Sequence, residues 1–303
     1  MNKYNCIIVL GPTASGKTRL ACHLAYELDG EIISADSRQV YKSLNIGTGK
    51  DLNEYVINEK SIPYHIIDII EPQEQFYLHQ FGLELKKAFE LITAKSKIPI
   101  ICGGTGLYLD AVRKDFSFTQ IKENEKLRSE LEFIDKEELV ALIKTYPEQF
   151  MQHVDLNSKK RIIRGIEIAE HFSKSGNTLS KVSLPYKPYY IGITTEVKSR
   201  KKHITERLHK RLEEGLIQEV ENLLSKGITH ERLELFGLEY KFVSRYLKKE
   251  ISKEELFVQL QTAIFQYSKR QMTWFRKMEK EGVEINWIQK DEDVFPRLST
   301  LFK

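Results

Sequence analysis

Cys6-Ile7-Ile8-Val9-Leu10-Gly11-Pro12-Thr13-Ala14-Ser15-Gly16-Lys17-Thr18 decides how this chain folds. Five apolar residues form a buried strand. A loop with two glycines follows, then a segment with apolar residues at Leu20, Ala21, Leu24, Ala25 and Leu28, the spacing of a helix face. Strand, loop and helix with the spacing G-x-x-x-x-G-K-[ST] make a phosphate cradle. Gly11 and Gly16 free the backbone so that successive N–H groups turn inward across Thr13, Ala14 and Ser15. The helix N-terminus adds partial positive charge. Lys17 adds a full charge, and the Thr18 hydroxyl suits Mg²⁺. The loop therefore predicts a diphosphate or polyphosphate held with Mg²⁺. It leaves open which molecule carries the phosphates.

Working outward, Glu31-Ile32-Ile33-Ser34-Ala35 reads as a second strand, ending in Asp36-Ser37-Arg38-Gln39-Val40-Tyr41. Ligands bind beyond the C-terminal ends of parallel strands, so Asp36 is a candidate metal ligand or general base, or else a helix cap. Asn45-Ile46-Gly47-Thr48-Gly49-Lys50-Asp51 is a second glycine-containing loop. Pro63 to Ile70 is a strand-like apolar run carrying Asp68, a candidate metal ligand or else a partner of loop backbone. Lys97-Ile98-Pro99-Ile100-Ile101-Cys102 is a buried strand leading to Gly103-Gly104-Thr105-Gly106 and a helix from Leu107 to Val112. Thr105 is thereby expected at the same sheet edge, as a phosphate donor or within a tight turn.

Charge becomes dense and strand signal fades over 113–157, which reads as a small helical insertion between 1–112, the first part of an α/β core, and 158–303, the rest of that core and its C-terminal helices. Lys159 to Phe172 forms a helix with Lys160, Arg161 and Arg164. Lys198 to Ser225 reads as one helix, strongly basic at its start, with Leu208, Leu212, Leu216, Val220 and Leu223 as its apolar stripe. Ser252 and Glu255 form a capping box for a helix that reaches Lys269-Arg270-Gln271-Met272-Thr273-Trp274-Phe275-Arg276-Lys277. Bases interleaved with aromatics suit stacking on unpaired bases while gripping phosphates; the same pattern serves a helix with its aromatics in the core.

Composition bounds the rest. The chain has 303 residues, 41% hydrophobic and 30% charged, with a net charge of +4. No apolar run is long enough to span a bilayer, and the N-terminus does not read as a signal peptide, so a cytoplasmic location is expected. Cys6, Cys22 and Cys102 read as small buried residues, not as disulfide or zinc partners.

Seven stretches, taken together, carry a family likeness: Gly11–Thr18, Asp36–Tyr41, Ile46-Gly47-Thr48, the His65–Asp68 region, Gly103–Tyr108, Arg161–Arg164 and Lys269–Arg276. In this order they resemble the tRNA dimethylallyltransferases (tRNA isopentenyltransferases) of bacteria. The resemblance implies an α/β fold of the P-loop NTPase type: a parallel sheet flanked by helices, with a small helical insertion domain. It also implies transfer of a dimethylallyl group from dimethylallyl diphosphate to N6 of the adenosine 3′ of the anticodon, in tRNAs reading codons that begin with U. By the same resemblance Asp36 is the general base, Thr105 contacts the reacting end of the donor, and Arg128 helps bind the leaving group. Gly11, Thr13, Ala14, Ser15, Gly16, Lys17 and Thr18 hold the diphosphate, with Thr18 on Mg²⁺. Asp36, Ser37, Arg38, Gln39, Lys160, Arg161, Arg164, Lys269, Arg270, Gln271, Trp274 and Arg276 are expected at the tRNA anticodon stem-loop, with 113–157 on its stem. A monomer is expected. An adenylate prenyltransferase and a P-loop kinase are the alternatives. Phe236-Gly237-Leu238-Glu239-Tyr240 departs from the pattern of many bacterial members.

Overall fold

A computed structural model describes residues 3–114, 116, 120–151, 154–175, 184–290 and 292–302. In chain order the elements are β1 (Cys6–Leu10), α1 (Lys17–Glu27), β2 (Gly30–Ser34), β3 (Val56–Ile57), β4 (Lys60–Ser61), β5 (Tyr64–His65), α2 (Leu78–Ala94), β6 (Ile98–Gly103) and α3 (Gly106–Asp110). Three helices follow, α4 (Glu125–Glu132), α5 (Lys136–Ile143) and α6 (Lys159–Ser175). The chain then returns to β7 (Pro188–Thr194), α7 (Val197–Glu213), α8 (Leu216–Ser225), α9 (His230–Leu235), α10 (Leu238–Leu247), α11 (Lys253–Lys280), β8 (Ile285–Gln289) and α12 (Phe295–Leu301).

Six strands form one sheet in the order β5-β2-β6-β1-β7-β8. Every neighbouring pair in it is parallel. Because β6 lies between β1 and β2, the loops after β1, β2 and β6 emerge side by side at one edge. Parallel strands covered by helices read as continuous apolar runs. β1 fits this, being fully buried along its length. Ile7 and Val9 share a core with Ala21, Cys22, Leu24 and Ala25 of α1 and with Ile32, Ile100 and Ile191 of the neighbouring strands. The parallel α/β architecture agrees with the sequence, and Cys6, Cys22 and Cys102 are buried and free.

Four readings change. The run 63–70 holds only the two-residue strand β5, because Ile66 and Asp68 take positive φ, at 63° and 55°. Of the two roles open to it, Asp68 takes a structural one, pairing with the buried Lys50 ammonium. The 198–225 helix is two: Gly215, at φ 102°, breaks it between α7 and α8. The apolar spacing over 76–95 predicts a helix with Phe81, Leu85, Ala88, Leu91 and Ile92 on one face, but Leu91 of α2 is 56% exposed.

The fourth concerns the insertion. The chain divides into two compact units, 1–113 with 185–303, and 114–184. The smaller unit extends past residue 157 to include α6. Ile162, Ile163 and Ile166 of that helix pack on Leu131, Leu139 and Ile143. In this unit the buried Glu167 carboxylate accepts from Arg128 Nε and Nη2, both at 2.9 Å, and from the Asn124 N–H at 2.7 Å. Among the described residues no helix is long and apolar enough to cross a membrane.

Candidate active site

A cavity of about 760 Å³ opens at the C-terminal edge of the sheet, within the larger unit. One wall is made by the loops after β1, β2 and β6, including Lys17, Asp36 and Thr105. The other is made by helices: Arg207 and Arg211 of α7, the turn Phe236–Glu239, and Tyr267, Arg270 and Gln271 of α11.

The phosphate loop has the geometry its glycines imply. Gly16 takes φ 86° where α1 begins. Gly11 is needed for room: a Cβ there would lie 2.7 Å from Ser15 Oγ. Ser15 is fully buried and its hydroxyl has no partner among the described residues. Burial holds the Lys17 ammonium below the usual lysine range; Arg207 adds to this, while the nearby Cys102, Asp36 and Asp51 oppose it. Thr18 and the Cys102 thiol both line the cavity. Burial pushes that thiol up to about 12, so it is neutral and a poor nucleophile.

Asp36 and Thr105 stand on adjacent loops. Asp36 Oδ1 accepts from the Arg38 N–H at 2.9 Å, a local turn that orients the carboxylate. Thr105 Oγ1 accepts from the Ser37 N–H at 3.4 Å, so the two loops touch directly. Tyr267 lines the cavity with Thr105 and Asp36, and its phenol is pushed up to about 12, first by burial and then by the Asp36 charge. Gln39 is taken up internally. Its Oε1 accepts from Ser34 Oγ at 2.8 Å and its Nε2 donates to the Gly49 carbonyl at 3.0 Å.

Gln271 ties both glycine loops to α11. Its Oε1 accepts from the Thr13 N–H at 2.8 Å, and its Nε2 donates to the Gly104 carbonyl at 2.9 Å. A side chain on Gly104 would collide with that amide. Gln271 is thus 6% exposed, at the seam between the loops. Its place in a basic, aromatic stretch gave no hint of this.

The helix wall holds residues that the sequence passed over. Glu219 of α8 accepts from the N–H groups of Asn45 (2.8 Å), Ile46 (2.8 Å) and Gly47 (3.0 Å), and from the Tyr240 hydroxyl (2.7 Å). One carboxylate therefore clamps the loop that carries Gly47, Thr48 and Gly49 into the cavity wall. Arg211, buried and held below its usual range by that burial, donates to Glu239 at 2.8 Å and lies over Gly49. Arg207 donates to Asp51 at 2.7 Å. The spacing of Arg207 and Arg211, four apart on a basic helix, was the available signal for them. Glu219 had none, because its backbone partners lie more than 170 positions away. Tyr240 and Glu239 show that the departing stretch 236–240 is built into this wall.

Other expected residues are placed as follows. Lys269, Arg270 and Arg276 are exposed on α11, with Arg270 at the cavity. Trp274 is half-buried against Gly106, with Lys277 Nζ 5.3 Å from its ring centre. In the smaller unit Lys160 is exposed and Arg161 pairs with Asp155 at 2.7 Å. Arg164 joins Arg128 on Glu167, at 3.3 Å, and Arg128 also pairs with Glu123 at 2.6 Å.

Known proteins are similar to this chain in sequence and fold. A family model described as IPP transferase matches residues 39–278, and one described as isopentenyl transferase matches residues 4–64. The tRNA dimethylallyltransferase 2 of Shewanella sediminis is 46% identical over 296 residues, covering 97% of this chain and 96% of that one. The tRNA dimethylallyltransferase 1 of Parabacteroides distasonis is 42% identical over 303 residues, covering 100% of this chain and 98% of its own. The crystal structure of the full-length tRNA isopentenylpyrophosphate transferase from Bacillus halodurans is similar, with a TM-score of 0.69 at 30% identity, over 99% of this chain and 94% of that one. A eukaryotic dimethylallyltransferase acting on tRNA gives a TM-score of 0.76 at 25% identity, over 97% of this chain and 76% of that one.

Proposed function

The chain belongs to the IPP transferase family, and on that premise we propose that it moves a dimethylallyl group from dimethylallyl diphosphate to the N6 amine of the adenosine 3′ of the anticodon in tRNAs reading U-starting codons. The observation that carries this reading is one cavity faced by Lys17, Asp36 and Thr105 from three adjacent strand ends. A phosphate cradle with a carboxylate and a hydroxyl beside it suits displacement of a diphosphate by a weak, proton-bearing nucleophile.

The chemistry follows from charge. The bond from the allylic carbon to the diphosphate oxygen breaks, and the electron pair leaves with the diphosphate. The N6 lone pair forms the new bond to that carbon. An exocyclic adenine amine is a poor nucleophile, because its lone pair is delocalised into the ring. Stabilising the leaving group therefore matters most, and preorganised donors aimed at developing charge do this at no reorganisation cost. Lys17, the loop N–H groups and Arg207 are assigned to that charge. Asp36 accepts the N6 proton, a role worth about 10²–10⁴-fold. Thr105, held by the Ser37 N–H, orients the reacting end of the donor. Arg128 has Glu167 and Glu123 as partners in the smaller unit, so the leaving group is assigned first to the cavity residues.

Thr18 fits Mg²⁺ in the way such loops do, because the ion takes few protein ligands and keeps phosphate oxygens and waters. Among the described residues no cluster of three or more His, Cys, Asp or Glu side chains offers an all-protein cage. When bound, the ion supplies further charge neutralisation to the diphosphate.

The adenine must leave its stack to reach Asp36, at a cost of a few kcal/mol, and single-stranded loops make that affordable. Exposed Lys269, Arg270 and Arg276 on α11, with Trp274 beside them, are assigned to the anticodon loop, and Lys160 and Arg161 to its stem. The test is label transfer from dimethylallyl diphosphate to unmodified tRNA, to free AMP, or to neither. Label in tRNA at the adenosine 3′ of the anticodon is expected. Preferential labelling of AMP would replace the reading with adenylate prenylation, and γ-phosphate transfer from ATP without label transfer would replace it with a kinase.

A further inference from the structure

Among the described residues Arg200 has no counter-charge. It is 7% exposed, and its Nε is buried with no hydrogen-bond partner. Among the described residues its guanidinium makes no ion pair. Burial lowers its pKa, and the charge of Arg276 lowers it further, with no carboxylate acting in the opposite direction. A buried cation without a partner is strongly unfavourable, so such groups are retained where an anion arrives.

The surroundings of Arg200 are all suited to that anion. It lies in the first turns of α7, a helix of 17 residues whose N-cap, Glu196, makes no side-chain cap bond. The helix start therefore presents free N–H groups and partial positive charge. The hydroxyl of the preceding Thr195 is buried and has no partner among the described residues. α7 and α11 run antiparallel. Gln261 donates to Thr205 at 2.8 Å, His209 packs on Phe257, and Lys201 sits 4.8 Å from the Phe265 ring centre. The start of α7 thus lies along the later part of α11. Helical side chains lean toward their own N-terminus, which aims Arg200 toward the turns that carry Arg276.

We propose that the N-terminus of α7 is a binding site for one backbone phosphate of the RNA acceptor, with Arg200 and Thr195 as its floor and Arg276 as its outer wall. The proposal rests on the reading of this chain as a tRNA-modifying enzyme. It differs from the diphosphate site, because Arg200 is not among the residues that line the cavity. Exposed Lys198, Lys202 and Lys269 continue the positive surface around it, the footprint a polyanion requires.

The experiment measures binding of an anticodon stem-loop RNA across a salt series, with inorganic diphosphate binding measured on the same proteins. Arg200→Met and Arg276→Gln are each expected to weaken RNA binding about ten-fold and to lower the salt slope by about 0.7–0.9. The double variant is expected to lose little more than either single one, because both arginines serve one phosphate. Arg200→Met is also expected to raise the melting temperature without RNA, since an unpaired buried cation is replaced by an apolar chain. Unchanged salt slopes in both variants would overturn the proposal. So would a lower melting temperature of Arg200→Met with unchanged RNA binding, which is the signature of a packing role. An equal loss of RNA and diphosphate affinity would reassign Arg200 to the donor cavity. If Arg200→Met does not fold, exposed Arg276→Gln carries the same slope prediction. Wild-type protein that binds RNA through these arginines but transfers no label would refute the enzymatic reading and leave the phosphate site standing.

Discussion

The two walls of the cavity are built in different ways. The sheet wall places Lys17, Asp36 and Thr105 each within a few residues of a strand end. Their positions follow from local sequence: an apolar run, a glycine-rich turn and a reactive side chain. The helix wall is made of side chains that reach across the chain to backbone groups of the loops. Gln271 holds Thr13 and Gly104, and Glu219 holds Asn45, Ile46 and Gly47. The sheet wall thus carries the groups assigned to chemistry, and the helix wall sets where they stand. The difference gives separate expectations: damage to the sheet wall should fall on turnover, and damage to the helix wall on donor affinity and stability.

The largest effect is expected at Asp36. Asp36→Asn keeps the size of the side chain and an acceptor for the Arg38 N–H, but removes the proton acceptor. Turnover should fall by about 10²–10⁴-fold with donor affinity within about three-fold of wild type. Single-turnover kinetics with labelled donor measure both. A near-normal rate would show that the proton leaves by another route, and the division between the walls would lose its main support.

Glu219 comes next. Glu219→Ala leaves three backbone N–H groups and the buried Tyr240 hydroxyl without their acceptor. Hydrogen bonds to a charged group contribute about 1.5–3 kcal/mol each, and water can reach the exposed side of this loop, so a net loss of about 2–4 kcal/mol of stability is expected. Donor KM should rise more than turnover falls. Tyr240→Phe removes one of the four bonds and should cost about 1 kcal/mol. Chemical denaturation and donor saturation curves separate the two outcomes. Turnover lost at unchanged donor KM would place Glu219 with the chemistry.

The contrast also explains what could be read from the sequence. The glycine geometry of the phosphate loop and the capping box of α11 are local patterns with the predicted form, and Asp36 and Thr105 stand just past the ends of β2 and β6, where local sequence put them. The β5 run was misleading because positive φ at Ile66 and Asp68 ends the extended backbone, and the Asp68 side chain goes to the buried Lys50, which also donates to the Tyr41 carbonyl at 2.7 Å and to Asn45 Oδ1 at 3.0 Å, contacts that no local pattern in the run announces. The limit of the insertion was misjudged for a similar reason. The three isoleucines of α6 mark an apolar face, but only tertiary contact shows that the face meets α4 and α5. Gln39 and Gln271, grouped by motif with the RNA-facing residues, spend their amides inside the protein, Gln39 on the Ser34 hydroxyl and the Gly49 carbonyl and Gln271 on two glycine-loop backbone groups. Glutamine in a polar stretch carries no periodicity that separates an internal tie from a surface contact.

Gln271→Leu tests the seam at smaller scale. It keeps the bulk of the side chain but leaves the Thr13 N–H and the Gly104 carbonyl unpaired. A loss of about 1–3 kcal/mol is expected, together with a donor KM raised several-fold. Loss of RNA affinity at unchanged donor KM would instead make Gln271 a nucleic-acid contact.

The smallest effect isolates stability from geometry. Ser252 caps α11 far along the chain from Gln271, accepting from the Glu255 N–H at 3.1 Å while Glu255 accepts from the Ser252 N–H at 2.7 Å. Ser252→Ala should cost about 1 kcal/mol. The change lies on the same helix as Gln271 but touches neither glycine loop, so donor KM should stay at the wild-type value. If Ser252→Ala raised donor KM as Gln271→Leu does, the affinity effect would come from general loosening of α11, and the hydrogen-bonded seam would not be its cause. A pair of variants with unequal effects on KM, despite comparable losses of stability, would assign the positioning of the phosphate loop to the Gln271 amide itself.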